Sequence, residues 1–315
     1  MKTPLVLAFA GFFFVLTACN QSPKKDKHTD DTPTTGEVTI AVDETYSPVI
    51  DAALPVFHSL YKFAHIHAKY LPEVDALNLL LKDSVRLAIV SRPLSVKELD
   101  YFHSKKFFPK VIPIGIDGIA VLVNPANPDT LFSVETIRKI MMGEITSWKE
   151  LNKKSPLGKV KVIFDDPKSS IVRFIVDSIT KSGNLSKQLS SMQSNLDVVD
   201  FVAQNPDAIG LIGVSWVSNR NDPKSLSFLR KIKVAGISIS EPALSENSYQ
   251  PFQAYIATGK YPFTRFLYAV LSEPRPGLGT GFTSFLASDK GQRIIQKTGI
   301  LPVTLPVRIV HITEE

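Results

Sequence analysis

This chain predicts an α/β fold with largely parallel sheets, and three observations carry that expectation. Short β-branched runs alternate with helical patterns from Glu37 almost to the C-terminus, as they do where helices cover a parallel sheet. One run, VIPIGIDGIAVLVNP, is long and apolar with Gly115 and Gly118 in its middle, the pattern of a strand that crosses from one lobe to another. No segment recurs at a fixed period, which argues against a solenoid. With 315 residues, 44% of them hydrophobic and 21% charged, the chain can bury a full core in one large domain or two moderate ones.

The elements follow in order. MKTPLVLAFAGFFFVLTAC has Lys2, an apolar run to Leu16 and small residues before Cys19, the only cysteine. That is a secretory leader, and its apolar run is shorter than the ~20 residues a spanning helix needs. Leu16-Thr17-Ala18-Cys19 resembles a bacterial lipobox, so residues 1–18 are expected to be a lipoprotein signal peptide and Cys19 the lipidated first residue. Cleavage would remove only Lys2 among the charges, leaving 35 basic against 30 acidic residues and no thiol for disulfides or cysteine catalysis. Residues 19–36, polar and rich in Lys, Asp, Thr and Pro, read as a flexible tether, with the folded body starting near Glu37.

EVTIAV predicts a strand, and SPVIDAALPVFHSLY a helix with Ser47 at its cap, Pro48 at its first position and a kink at Pro55. AHIHAKY is a strand candidate, VDALNLLLKD a helix and VRLAIVS a strand. SVKELDYFHS opens with Ser95 and Glu98 at capping-box spacing. Beyond the crossing strand, SVETIRKIMMG is a helix stopped by Gly143, TSWKEL a short helix and KVKVIF a strand. SSIVRFIVDSITKSG is a helix ended by Gly183, DVVDFVAQNP another, and AIGLIGVS a buried strand. FLRKIKVAGIS reads as the strand returning to the first lobe. YPFTRFLYAVLS and GFTSFLASDKGQRIIQKTG read as closing helices, the second ended by Gly299.

Candidate chemistry gathers at three polar turns that follow strands and precede helices: Asp43 to Ser47, Ser91 to Leu94, and Asp165 to Ser170. In an open α/β sheet ligands bind beyond the C-terminal strand ends, where such turns converge. Ser169 and Ser170 stand at a helix start, where free N–H groups and the dipole favour an anion, although a serine there often only caps the helix. Arg92 and Arg173 could add charge and paired hydrogen bonds to a tetrahedral oxyanion. Asp165 and Asp166 could accept a proton from the ligand or neutralise those arginines. The net charge of +6 is spread along the chain, which suits a small anion. No arginine-rich helix, zinc-finger spacing or aromatic-basic motif marks a nucleic-acid binder. His65 and His67 share a strand face but lack a third ligand at metal-site spacing. GLGTGF lacks dinucleotide-loop spacing and reads as a turn. No zincin helix, P-loop or nucleophile elbow is present, so no catalytic residue, metal or cofactor is assigned.

Several stretches together resemble one family. DGIAVLVNPANPDTLFSVETIRKIMMGEITSWKEL resembles the middle of the phosphate-binding protein of bacterial phosphate ABC transporters. SRPLSVKEL, VDFVAQNPDAIGLIGVSWV and YPFTRFLYAVLS…GFTSFLASDKGQRIIQKTGILPV resemble further segments in the same order, from about Val38 to Val303. The resemblance implies a two-lobed type II periplasmic-binding-protein fold with a ligand cleft between the lobes. It implies a first lobe of residues 37–115 and 235–315, with 116–234 as the second. The family's binding turns fall on Thr45-Tyr46, on Ser91-Arg92 and on Ser169-Ser170. Three departures stand out: Arg92 replaces the family's proton-accepting aspartate, Glu73 stands near the place of a serine, and the arginine before the serine motif is absent. Arg173 is the arginine that could reach in from the helix.

The resemblance implies a solute-binding protein, not an enzyme, that captures phosphate for an ABC transporter. Its partners would be phosphate or a related oxyanion and the permease subunits, with a membrane held through the lipid anchor. The expected protein is a monomer at the cell envelope, facing the periplasm or exterior. The alternatives are a binder of another oxyanion or a phosphorylated small molecule, or a sensor or scaffold lipoprotein that kept the fold and lost the ligand. A serine hydrolase built on Ser169 is the weakest of them.

Overall fold

The computed structural model describes residues 31–182, 185–186, 189–218 and 223–304. Residues 1–30, on which the expected leader, Cys19 and most of the expected tether fall, lie outside the described residues, as does Gly183. Strand β1 (Thr35–Asp43) leads through a 3-10 turn, Glu44–Tyr46, into α1 (Ser47–Leu60). Strand β2 (Phe63–Leu71), α2 (Glu73–Leu81), β3 (Leu87–Val90) and α3 (Val96–Ser104) follow. β1 pairs parallel with β2 from Thr35↔Phe63 to Asp43↔Leu71, and with β3 at Ala41↔Ala88. β2 lies at the sheet edge and alternates exposed and buried residues, whereas β3 (LAIV) is buried throughout, as a parallel strand covered on both faces must be. The Ser95–Glu98 capping box opens α3.

β4 (Lys110–Val123) runs unbroken through both of its glycines and joins the two halves of the molecule. Beyond it come β5 (Leu131–Ser133), α4 (Val134–Met142), α5 (Trp148–Leu151) and β6 (Lys161–Phe164). Ser133 caps α4, and Gly143 ends it at φ +77°, a left-handed conformation that costs glycine little. Then follow α6 (Ser170–Phe174), six residues of π-helix (Ile175–Thr180), β7 (Leu189–Ser191), α7 (Asn195–Gln204), β8 (Ala208–Gly213) and a 3-10 turn, Val214–Trp216. The remaining elements are α8 (Pro223–Leu229), β9 (Lys233–Val234), β10 (Gly236–Ser238), β11 (Ser248–Tyr249), α9 (Gln253–Ala257), β12 (Thr264–Leu271), α10 (Leu278–Ala287), α11 (Asp289–Lys297) and β13 (Leu301–Pro302).

The main sheet has the order β2-β1-β3-β12-β4-β8-β6-β7, with β9 and β13 also on β4. The first part of β4, to Gly118, pairs with β12 and β13, and its second part, from Ile119, pairs with β8 and β9. Each half has its own core. Ile40, Ile50, Phe57, Ile89, Leu267 and Phe282 pack in the first, and Val121, Ile140, Trp148, Val162, Ile171 and Leu211 in the second.

Five local expectations are corrected. The body begins earlier than Glu37: β1 starts at Thr35, and the Asp31 carboxylate accepts a hydrogen bond from Leu278 N (2.8 Å). Tyr46, not Ser47, is the α1 cap. YPFTRFLYAVLS is not a helix. It supplies β12, whose aromatic and β-branched residues alternate faces, with Arg265, Leu267 and Ala269 buried and Phe266 exposed. FLRKIKVAGIS gives the end of α8 and two short strands, of which β10 pairs with β5. Ala235, Ile237 and Tyr261 pack in the second core, so the chain re-enters the first half at β12. GLGTGF is a helix start, because the Glu273 carboxylate accepts from Gly277 N, Gly279 N and Thr280 N and caps α10.

Candidate functional site

Where β4 passes between the halves, turns from both meet. β1 ends on Asp43, fully buried, whose Oδ1 accepts from Thr45 N (3.2 Å) and so starts the 3-10 turn that carries Thr45 and Tyr46. Trp216 Nε1 (3.0 Å) and Ser215 Oγ (3.3 Å) donate to the Thr45 carbonyl from the turn after β8. Gly213 makes that approach possible: a Cβ there would stand 2.5 Å from Thr45 Cγ2. Facing this turn, β6 leads to Asp165, and Ser169 Oγ accepts from Val172 N (3.4 Å) to cap α6, with Ser170 buried beside it. Asn195, at the start of α7, donates from Nδ2 to Asp165 (3.3 Å) and to Glu44, linking the two sides.

Two buried charges beneath the cleft were missed by the sequence reading. Arg265 of β12 pairs with Asp117 of β4 (Nε to Oδ2 3.1 Å), and its guanidinium lies 5.3 Å from the centre of the Tyr46 ring. Their signal was present in the sequence: a lone acid and a lone arginine inside apolar strand-like runs are costly to bury unless paired or used.

Many buried polar atoms here carry no hydrogen bond within the protein. They include the donors Thr45 Oγ1 and Arg265 Nη1 and the acceptors Asp165 Oδ1 and Asn195 Oδ1, while the Ser170 and Tyr46 hydroxyls lie beside Asp43 and Asp117 respectively and favour their charged forms. Burial, reinforced by the Glu73 charge, pushes the Asp43 carboxyl up to about 7. Burial likewise raises Asp165 to about 6, against the Ser169 hydrogen bond that favours its charge. A pocket of about 110 Å³ opens beside them, lined by Asp43, Glu44, Asp165, Asp166, Ser169 and Gln193 among others.

The candidate arginines part company. Arg92 is spent on Glu98 of α3, with Nη1 and Nη2 each 2.7 Å from a carboxylate oxygen, and that pairing holds Glu98 down at about 2 against the cost of its burial. The expectation that Arg92 faces a ligand is therefore corrected: a bidentate carboxylate partner six residues along the chain claims both ends of its fork. Arg173 does reach the cleft. Its Nε donates to Glu73 Oε2 (2.6 Å) and its Nη2 to Ser91 Oγ (2.7 Å) across the gap between the halves. Ser91 N and Oγ also donate to Glu73 Oε1, at 2.7 and 2.8 Å. Among the described residues no group of three or more His, Cys, Asp or Glu is placed to hold a metal, and no helix is long and apolar enough to cross a membrane. His67 pairs at the surface with Glu37 (3.1 Å).

The family model for the PBP superfamily domain matches residues 28–290. The phosphate-binding protein PstS of Bacillus subtilis (strain 168) is 24% identical over 309 residues, which cover 96% of this chain and 94% of that protein. A Clostridium perfringens crystal structure that holds bound phosphate matches with a TM-score of 0.70 at 21% identity, over 85% of this chain and 100% of that one. An ABC-type phosphate transport receptor from Vibrio cholerae matches with a TM-score of 0.63 at 20% identity, again over 85% of this chain and 100% of that one.

Proposed function

The chain belongs to the PBP superfamily and has the type II periplasmic-binding-protein fold, and from that premise we propose that it captures phosphate in its interlobe cleft for an ABC transporter. The observation that carries this reading is the set of buried hydroxyls from both halves, Thr45, Tyr46 and Ser170, with Arg265 and the carboxylate oxygens of Asp43 and Asp165 alongside. Donors alone would suit any oxyanion. Carboxylate acceptors suit one that still carries a proton near neutrality, as phosphate does and sulfate does not. The function is binding, with Cys19 as the lipid attachment and the permease subunits as the partners that receive the ligand. A second reading, the sensor or scaffold that lost its ligand, is favoured by the Glu73–Arg173 pair, which already satisfies one side of the cleft.

Calorimetry of the protein against phosphate, arsenate and sulfate tests the ligand. Phosphate and arsenate are expected to give saturable heat and sulfate none, and a protein with no phosphate heat at millimolar concentration belongs to the second reading. For the anchor, Cys19→Ser is expected to release the protein from the membrane fraction or block its processing. A variant that stays membrane-bound at full yield removes the lipoprotein assignment.

A further inference from the structure

Glu73 is an unusual residue to find at the heart of an anion site. It is 1% exposed and opens α2, on the first half of the molecule. Both of its oxygens are bound: Oε1 by the backbone and hydroxyl of Ser91, Oε2 by Arg173 of α6, on the second half. These are the partners a bound oxyanion takes, namely a backbone N–H, a hydroxyl and a guanidinium, all at charge-assisted distances. Burial alone would lift the carboxyl, yet Arg173 and Ser91 bring it below its usual range, so it stays ionised. Contacts on either side also join the halves: Val74 N donates to Lys168 O (3.3 Å), and Lys168 Nζ pairs with Asp75 (3.1 Å).

We propose that Glu73 is a resident counter-ligand: its carboxylate fills the anion clamp of Ser91 and Arg173, draws the two halves together without a solute, and must be displaced before an oxyanion can use that clamp. The inference rests on the proposed anion-binding role of the cleft. A tethered carboxylate competes at an effective concentration set by the chain, of order millimolar or more for a short link. It therefore sets a threshold, and only an oxyanion with more charge or more hydrogen bonds than a carboxylate can replace it. By occupying the clamp it also populates the closed form in the absence of ligand, so closure alone would not report a captured solute.

The test compares the wild-type protein with Glu73→Ala and Glu73→Gln, using inorganic phosphate as the probe. Glu73→Ala is expected to bind phosphate at least tenfold more tightly, and Glu73→Gln to shift in the same direction by less. Small-angle scattering should show ligand-free wild-type protein already compact and unchanged by phosphate. Ligand-free Glu73→Ala should be expanded and contract when phosphate is added. Glu73→Gln keeps the side-chain shape, so it serves if the alanine variant does not fold. Unchanged affinity and unchanged dimensions in a folded variant overturn the proposal, as does weaker phosphate binding. If a variant expands but neither protein binds phosphate, Glu73 stands as the latch and the proposed phosphate ligand falls.

Discussion

Arg92 and Arg173 look alike as candidates in the sequence, each near a polar turn, and only their neighbours separate them. Arg92 has Glu98 six residues on, and the capping box that fixes Glu98 at the start of α3 also fixes where its carboxylate waits. That pair is bidentate and its side chains are only 24% and 16% exposed, so it is worth more than an exposed surface pair, about 1–3 kcal/mol. Arg92→Ala is therefore expected to lower stability by about that much, less than Arg173→Ala, and to leave phosphate affinity within about twofold, an interval too small to require a lost charge-assisted bond to the ligand. Arg173→Ala leaves the Glu73 carboxylate buried beside Ser91 without its cation, and loss of one partner from such a pair costs about 3–5 kcal/mol. Urea denaturation of the two variants distinguishes them, and a large loss for Arg92→Ala with a small one for Arg173→Ala would reverse the assignment. Thr45, Tyr46, Ser169 and Ser170 could be located from strand-turn-helix patterning. Asp43 was legible only as part of a turn, because its importance comes from burial and from the charges of Glu73 and Arg265, which lie far from it in sequence.

At the scale of elements, the helices with side-chain caps were the most readable. Ser95, Ser133 and Ser169 each accept from a backbone N–H near the start of their helix, as local chemistry requires. α10 was less readable because its cap comes from outside the helix: Glu273 binds the N–H groups of Gly277, Gly279 and Thr280 together with the Thr280 hydroxyl, and Asp31 binds Leu278 N. A carboxylate against the positive end of a helix adds charge stabilisation to the hydrogen bonds. Glu273→Ala is expected to cost about 1–2 kcal/mol, as the loss of a strong cap does, and to lower the melting temperature by roughly 2–8 °C. Calorimetric melting of the variant gives the answer, and an unchanged melting temperature would mean that Asp31 alone suffices. β12 was the larger misreading. Its length and apolar content fit a helix as well as a strand, and the deciding interactions are its antiparallel pairings with β3 and β4, which no local pattern encodes. The same long-range pairing explains why the alternation of strands and helices revealed the fold class while the point of return to the first half was misplaced.

At the scale of the whole molecule, the cleft concentrates more negative charge than a protein of net charge +6 would suggest. Burial raises Asp43 to about 7 and Asp165 to about 6, from the ordinary aspartate value of 3.8. A carboxyl with a raised folded pKa binds its proton more strongly in the folded state than in the unfolded one. Between about pH 4 and 7 the folded protein therefore holds protons that the unfolded chain has released, and stability falls as pH rises, by at most about 1.4 kcal/mol per pH unit for each such group. Glu73 and Glu98 have the opposite sign, because both are held below their usual value; their contribution is present at neutral pH and is lost as pH falls through their lowered folded values. Together they place the most stable ligand-free state at about pH 4, with loss on both sides. Urea unfolding at pH 5, 6, 7 and 8 is expected to show a declining midpoint, and Asp43→Asn should flatten that decline. A midpoint that climbs from pH 5 to 8 would contradict the assigned burial of Asp43 and Asp165. Binding follows from the same groups. At pH 8 an arriving phosphate meets ionised Asp43 and Asp165. At pH 6 Asp43 is largely protonated, which removes one repulsive charge and supplies a donor, while Asp165 is still about half ionised and keeps an acceptor for the ligand's proton. Phosphate affinity should therefore strengthen as pH falls from 8 to 6, even though the ligand itself loses charge over that range. In Asp43→Asn, which is neutral throughout, the dependence should shrink towards that of phosphate's own titration.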